Sequence, residues 1–61
     1  MRLKELRLGK GLTQRAVASI INCSESAYAK YEREKIEPDI ATLKTLSKYY
    51  NVTIDYIVGN D

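Results

Sequence analysis

A chain of 61 residues, set against domains of roughly 100 to 200 residues, holds one small domain and excludes a multi-domain organisation. One cysteine, Cys23, and no histidine exclude an internal disulfide and the usual four-ligand Cys/His zinc site, and no cofactor is expected. A chain this short hides only about 60 % of the surface its unfolded form exposes, so regular helix packing or association must supply its stability. With 44 % hydrophobic and 30 % charged residues, the composition is that of a globular domain rather than a disordered chain. Apolar runs of two or three residues span no membrane. The opening Met1-Arg2-Leu3-Lys4-Glu5 lacks the apolar core of a secretory signal, and a reducing cytoplasmic location is the expectation.

The formal net charge of +2 is too small to announce a polyanionic partner, but it is unevenly spread. Residues 1–35 carry eight basic side chains against four acidic ones, and residues 36–61 carry two against four. A polyanion would sit on the basic half. A solvated mixed-charge surface gives the same asymmetry, so charge alone does not decide.

The elements follow in chain order from helical spacing and from Gly9, Gly11, Pro38 and Gly59. Arg2 to Leu8 reads as a first helix, with Leu3 and Leu6 on one face and Gly9 and Gly11 ending it. Thr13 is a candidate N-cap for a second helix from Gln14 to about Ile21, with Val17, Ile20 and Ile21 at helical spacing. Asn22 suits a turn that requires positive φ. Ser24 would cap a third helix from Glu25 to about Arg33, with Ala27, Tyr28 and Tyr31 inward and Glu25, Ser26, Ala29, Lys30 and Arg33 mostly outward. Pro38 forbids helix at Glu37, and Asp39 caps a fourth carrying Ile40, Leu43, Leu46 and Tyr50 on its inner face until Asn51 closes it. Thr53 caps a last helix with Ile54, Ile57 and Val58, stopped by Gly59. No segment shows sustained two-residue alternation, so the expected class is all-α.

Two short helices joined by a tight turn, the second with a polar, short-sided outer face, describe a helix-turn-helix. Ala18 is small enough for the two helices to cross, and Asn22 tolerates the left-handed turn. The ordered set Leu3-Lys4-Glu5-Leu6-Arg7, Gly11-Leu12-Thr13-Gln14, Ser24-Glu25-Ser26 leading to Tyr28, Tyr31-Glu32-Arg33, Glu37-Pro38 and Val52 through Gly59 resembles the phage repressor and Cro type of helix-turn-helix domain, the XRE-like family. The resemblance implies a compact five-helix bundle of the lambda-repressor-like DNA-binding type across residues 1–61, with the motif at about 14–33 and the third helix entering the DNA major groove. It places Thr13 and Gln14 at phosphate, where helix N-terminal amides favour an anion. Ser24, Glu25, Ser26 and Lys30 fall at positions that meet base edges, with Ala29 on the same face, and Arg33 and Lys35 at backbone-contacting positions. Arg7 and Glu32 match a family ion pair, and a structural role is favoured for Arg7 over DNA contact.

The chain departs from the family pattern at several positions. Asn22 and Glu34 replace frequent glycines, the latter putting the geometry of the Arg33 to Pro38 loop in question. Ala16 stands where many members carry the capping-box Glu. Glu25 brings a carboxylate to the groove, where phosphates repel it unless it accepts from cytosine N4, so Glu25 either reads a C·G pair or excludes wrong sites.

Tyr28 and Tyr31 read as core or half-buried residues rather than DNA-stacking aromatics, with the Tyr28 hydroxyl expected to reach the surface. Tyr49 and Tyr50 are expected to split between surface and core. Cys23 reads as a small buried hydrophobe rather than a redox sensor. Ser24 and Ser26 have no histidine partner for nucleophilic catalysis, so the chain is not expected to be an enzyme. The expected function is a bacterial or phage-encoded transcriptional regulator, a repressor that binds a palindromic double-stranded DNA operator as a homodimer. The rival is an antitoxin-like or inhibitory protein-interaction module. The chain is expected to be either a free-standing small regulator or the N-terminal domain of a repressor that continues into an effector or oligomerisation domain.

Overall fold

Each helix begins where a side chain or a neighbouring strand of backbone satisfies its first amides, and a computed structural model describing residues 1–60 gives five: α1 (Leu3–Gly9), α2 (Gln14–Ile20), α3 (Glu25–Glu32), α4 (Ile40–Tyr50) and α5 (Ile54–Val58). Thr13 Oγ1 accepts from the Ala16 amide at 3.0 Å, Ser24 Oγ from Ala27 at 3.0 Å, Asp39 Oδ1 from Thr42 at 2.8 Å and Thr53 Oγ1 from Tyr56 at 3.0 Å. Such caps satisfy amides that have no partner inside the helix. Arg2 at the start of α1 makes no side-chain cap. Its amide instead donates to the Ile57 carbonyl at 2.8 Å, which ties the first helix to the last.

The helix ends share one geometry. Gly11 (φ 67°), Asn22 (φ 60°), Glu34 (φ 58°), Asn51 (φ 57°) and Gly59 (φ 84°) all adopt the left-handed conformation. After each, the next amide returns to the carbonyl five residues back: Leu12 to Arg7, Cys23 to Ala18, Lys35 to Lys30, Val52 to Ser47 and Asn60 to Asp55, at 2.8 to 3.1 Å. This closure satisfies late helical carbonyls and turns the chain sharply. Glycine and asparagine take it at low cost, and Glu34 is the residue of the five that does not.

Boundaries shift slightly from the sequence expectation. Arg2 stands at the N-cap position just before α1 rather than inside it, and the helix runs through Gly9 rather than stopping at Leu8, while Ile21 and Arg33 are C-caps rather than helical residues. Leu3, Val17, Ala18, Tyr28, Leu43, Leu46, Tyr50 and Ile57 form the core. Ala18 is 2 % exposed where α2 packs against α3, and α5 packs against α4. The radius of gyration of 10.2 Å matches the roughly 10.5 Å expected for a folded chain of this length.

Two expectations are corrected. Ile40 is 62 % exposed, because it opens α4, ahead of the turn whose Leu43 and Leu46 face inward. The Tyr28 hydroxyl does not reach the surface: the side chain is fully buried, and its oxygen is buried without a hydrogen-bond partner. Tyr31, expected inward, is half-buried and meets the Tyr28 ring edge-on at 6.4 Å. Tyr49 and Tyr50 split as expected, 39 % and 7 % exposed.

Candidate nucleic-acid interface

The candidate interface rests on an ion pair. Arg7 on α1 donates from Nε to Glu32 Oε2 at 2.6 Å and from Nη2 to Oε1 at 3.2 Å, and from Nη1 to the Leu12 carbonyl at 2.9 Å. Gln14 Nε2 adds a third donor on Glu32 Oε1 at 3.0 Å. One carboxylate thus joins α1, the start of α2 and the last residue of α3. That position is unfavourable for a bare anion, since a helix C-terminus carries the negative end of the dipole. Burial by itself would raise the Glu32 pKa, but the hydrogen bonds from Arg7 and Gln14 outweigh it and hold the carboxyl below the usual range. The bond to Glu32 pushes the Arg7 pKa up against the opposing effect of burial. The pair is two-pronged and 10 % and 5 % exposed on its two sides, the geometry in which arginine binds carboxylate most strongly.

Above this pair lies an open cleft lined by Lys4, Arg7, Gln14, Ala29, Glu32 and Arg33. Because Arg7 neutralises Glu32, Lys4 and Arg33 leave the cleft net positive. Gln14 keeps one amide hydrogen beyond the one given to Glu32, at the start of a helix whose first amides point outward. These groups suit a phosphate oxygen.

Glu25, Ser26 and Lys30 are exposed along α3 and Ser24 at its N-cap, with Ala29 half-buried beside Lys30. The hydroxyls of Thr13 and Ser24 serve as caps, which uses an oxygen lone pair and leaves each O–H free to donate. Arg33 and Lys35 stand exposed beyond the end of α3. Glu25 does not stand alone: its Oε1 lies 3.8 Å from Arg15 Nε on α2. Lys4 and Arg15 are the side chains that sequence reading did not assign. Lys4 could have been found from its spacing of three from Arg7 on α1. Arg15 carries no local signal of its own. The Cys23 thiol is half-buried, and burial pushes its pKa up despite an opposing backbone hydrogen bond, the reverse of what a reactive thiolate needs.

Residues 3–57 match the family model described as Helix-turn-helix. The chain belongs to this family. Among its curated relatives, the HTH-type transcriptional regulator ImmR of Bacillus subtilis is 43 % identical over 98 % of this chain and 47 % of its own length. The HTH-type transcriptional activator BcrR of Enterococcus faecalis is 38 % identical over 98 % of this chain and 29 % of its own. The cryptic phage CTXphi transcriptional repressor RstR of Vibrio cholerae is 30 % identical over 97 % and 53 %. The helix-turn-helix chain therefore spans between about a third and a half of the length of these regulators. No solved structure matches it. No helix among the described residues is long and apolar enough to cross a membrane.

Proposed function

We propose that this helix-turn-helix chain is the DNA-binding part of a transcriptional repressor, and that two copies bind a palindromic operator with α3 of each in the major groove. The observation that carries the reading is the juxtaposition of an exposed polar row on α3, Ser24, Glu25, Ser26 and Lys30, with a net-positive cleft at its end formed by Lys4, Gln14 and Arg33. The row offers donors and acceptors to base edges, while the cleft and Lys35 engage phosphate, which fixes register without carrying sequence information. The unit from residue 1 to 61 acts as one DNA-binding domain, and Thr13 contributes from the α2 N-terminus. The repressor assignment follows relatives such as RstR, whereas BcrR is described as an activator.

Selection from random duplex DNA, followed by titration of the winning site against salt, tests the proposal. A binder neutralising about six to ten phosphates loses on the order of 10³- to 10⁵-fold in affinity between 50 and 200 mM salt. Arg33→Ala should weaken all sequences alike and reduce the logarithmic salt slope by about one, whereas Lys30→Ala should change which sequences win. Absence of any selected site, or an affinity indifferent to salt, would favour the protein-interaction module.

A further inference from the structure

Arg15 and Glu25 come from different helices and meet at the rim of the proposed reading surface. Arg15 is the second residue of α2 and Glu25 the first of α3, and their side chains are 85 % and 53 % exposed with 3.8 Å between Nε and Oε1. Fold stability accounts for Glu25, an acid in the first turn of α3 where the helix dipole favours it, but gives little reason for Arg15 beside it. Exposed ion pairs contribute little, and a cation in the first turn of α2 is opposed by the helix dipole.

Groove chemistry supplies a reason. A lone carboxylate entering the major groove is repelled by two rows of phosphates, and a guanidinium beside it cancels that charge. With Arg15 on Oε1, the second carboxylate oxygen stays available as an acceptor. Cytosine presents only its N4 amino donor in the major groove, whereas adenine sets the N7 acceptor beside its amino group, and guanine and thymine offer acceptors. A carboxylate therefore matches cytosine best: adenine also donates from its amino group but sets N7 against the carboxylate, and guanine and thymine offer only acceptors.

We propose that Arg15 is a positioning residue for base reading, holding the Glu25 carboxylate toward the groove so that its free oxygen accepts from cytosine N4 at one operator position. The proposal rests on the DNA-binding reading above and adds to it a residue that touches no base itself. Site selection with the unaltered chain, Arg15→Ala, Arg15→Lys, Glu25→Gln and the Arg15→Ala/Glu25→Gln double variant separates the possibilities, with circular dichroism verifying that each is helical. Both residues are exposed, so folding should be retained. The unaltered chain should prefer cytosine at one position by about 5- to 150-fold. Glu25→Gln should replace that preference with adenine, and Arg15→Ala should erase it while leaving the other positions unchanged. Arg15→Lys should keep it, and Arg15→Ala should add nothing at that position in the Glu25→Gln background.

A uniform loss of affinity on Arg15→Ala, equal in both backgrounds, would make Arg15 an independent phosphate contact and overturn the proposal. So would an unchanged profile. Failure of the unaltered chain to select any sequence would overturn the DNA-binding reading together with this one, and that result is distinct from a defect confined to the variants.

Discussion

At the scale of single residues, the left-handed positions differ in what they cost. Glu34 holds φ 58° with a full side chain, a conformation that costs an ordinary residue about 1 to 2 kcal/mol, whereas Asn22 and Asn51 tolerate nearly the same φ. Glycine adds unfolded-state entropy that returns about 0.4 to 1 kcal/mol of that gain. Glu34→Gly should therefore stabilise the chain by about 0.5 to 1 kcal/mol, and Asn22→Gly and Asn51→Gly by less, as urea midpoints would show. An equal gain at all three would mean that Glu34 is not strained. Arg7 and Glu32 present the opposite case, a pair that neither member survives without. Removing one partner of a buried pair costs about 3 to 5 kcal/mol, so Arg7→Met should destabilise strongly and Arg7→Met/Glu32→Leu should recover part of the loss. The Glu32 carboxyl is held low when folded, so its contribution is complete above the unfolded value near about 4.3 and is lost as the pH falls through the lower folded value. Urea titrations at neutral pH and at about pH 3 should accordingly show a smaller acid loss for Glu32→Gln than for the unaltered chain. Equal losses would place the acid-sensitive group elsewhere.

At the scale of the helices, α2 lacks an acidic residue in its first turn. Thr13 caps the Ala16 amide at 3.0 Å, and nothing reaches back to the Thr13 amide from the third helical position. Ala16→Glu would complete the reciprocal cap and place a negative charge at the positive end of the dipole. It should stabilise by about 0.3 to 1 kcal/mol in thermal unfolding, and a loss would mean that burial of the half-exposed Ala16 site outweighs the cap. The four side-chain caps and the turn residues Gly11, Asn22, Asn51 and Gly59 were legible in the sequence because capping and positive φ are local chemistry of a few adjacent residues. Ile40 was not, since a stripe at i, i+3, i+6 and i+10 says nothing about whether a helix's first turn lies under neighbouring elements. The depth of Tyr28 was not legible either, because its hydroxyl position depends on how much space four other helices leave. The interface divides along the same line. The polar face of α3 follows from spacing, whereas the contact of Arg15 with Glu25 depends on how α2 and α3 cross.

At the scale of the whole molecule, the charge asymmetry acquires a structural reason. Asp39 and Asp55 sit at the starts of α4 and α5, where helix dipoles favour acids, and the bond from Thr42 holds the Asp39 carboxyl below its usual range. Two of the four acids of residues 36–61 thus serve their own helices, and Lys4, Arg15, Lys30, Arg33 and Lys35 of the basic half are left exposed around α3. Size then bears on the proposed palindromic operator. The longest dimension of the chain is 27 Å, and successive major-groove faces lie about 34 Å apart along the duplex. One copy carries one α3 and cannot fill two such faces, so recognition of a palindrome requires a second copy held at the matching separation. Inserting five base pairs between half-sites turns one of them by about half a helical turn, out of reach of a two-fold pair. Binding to the full site should then fall by about 10² or more, toward the affinity of a single half-site, in a gel-shift comparison of the selected palindrome with its lengthened form. Equal binding to both would show that the copies act independently and that the paired arrangement is wrong, while leaving the role of α3 at each half-site intact.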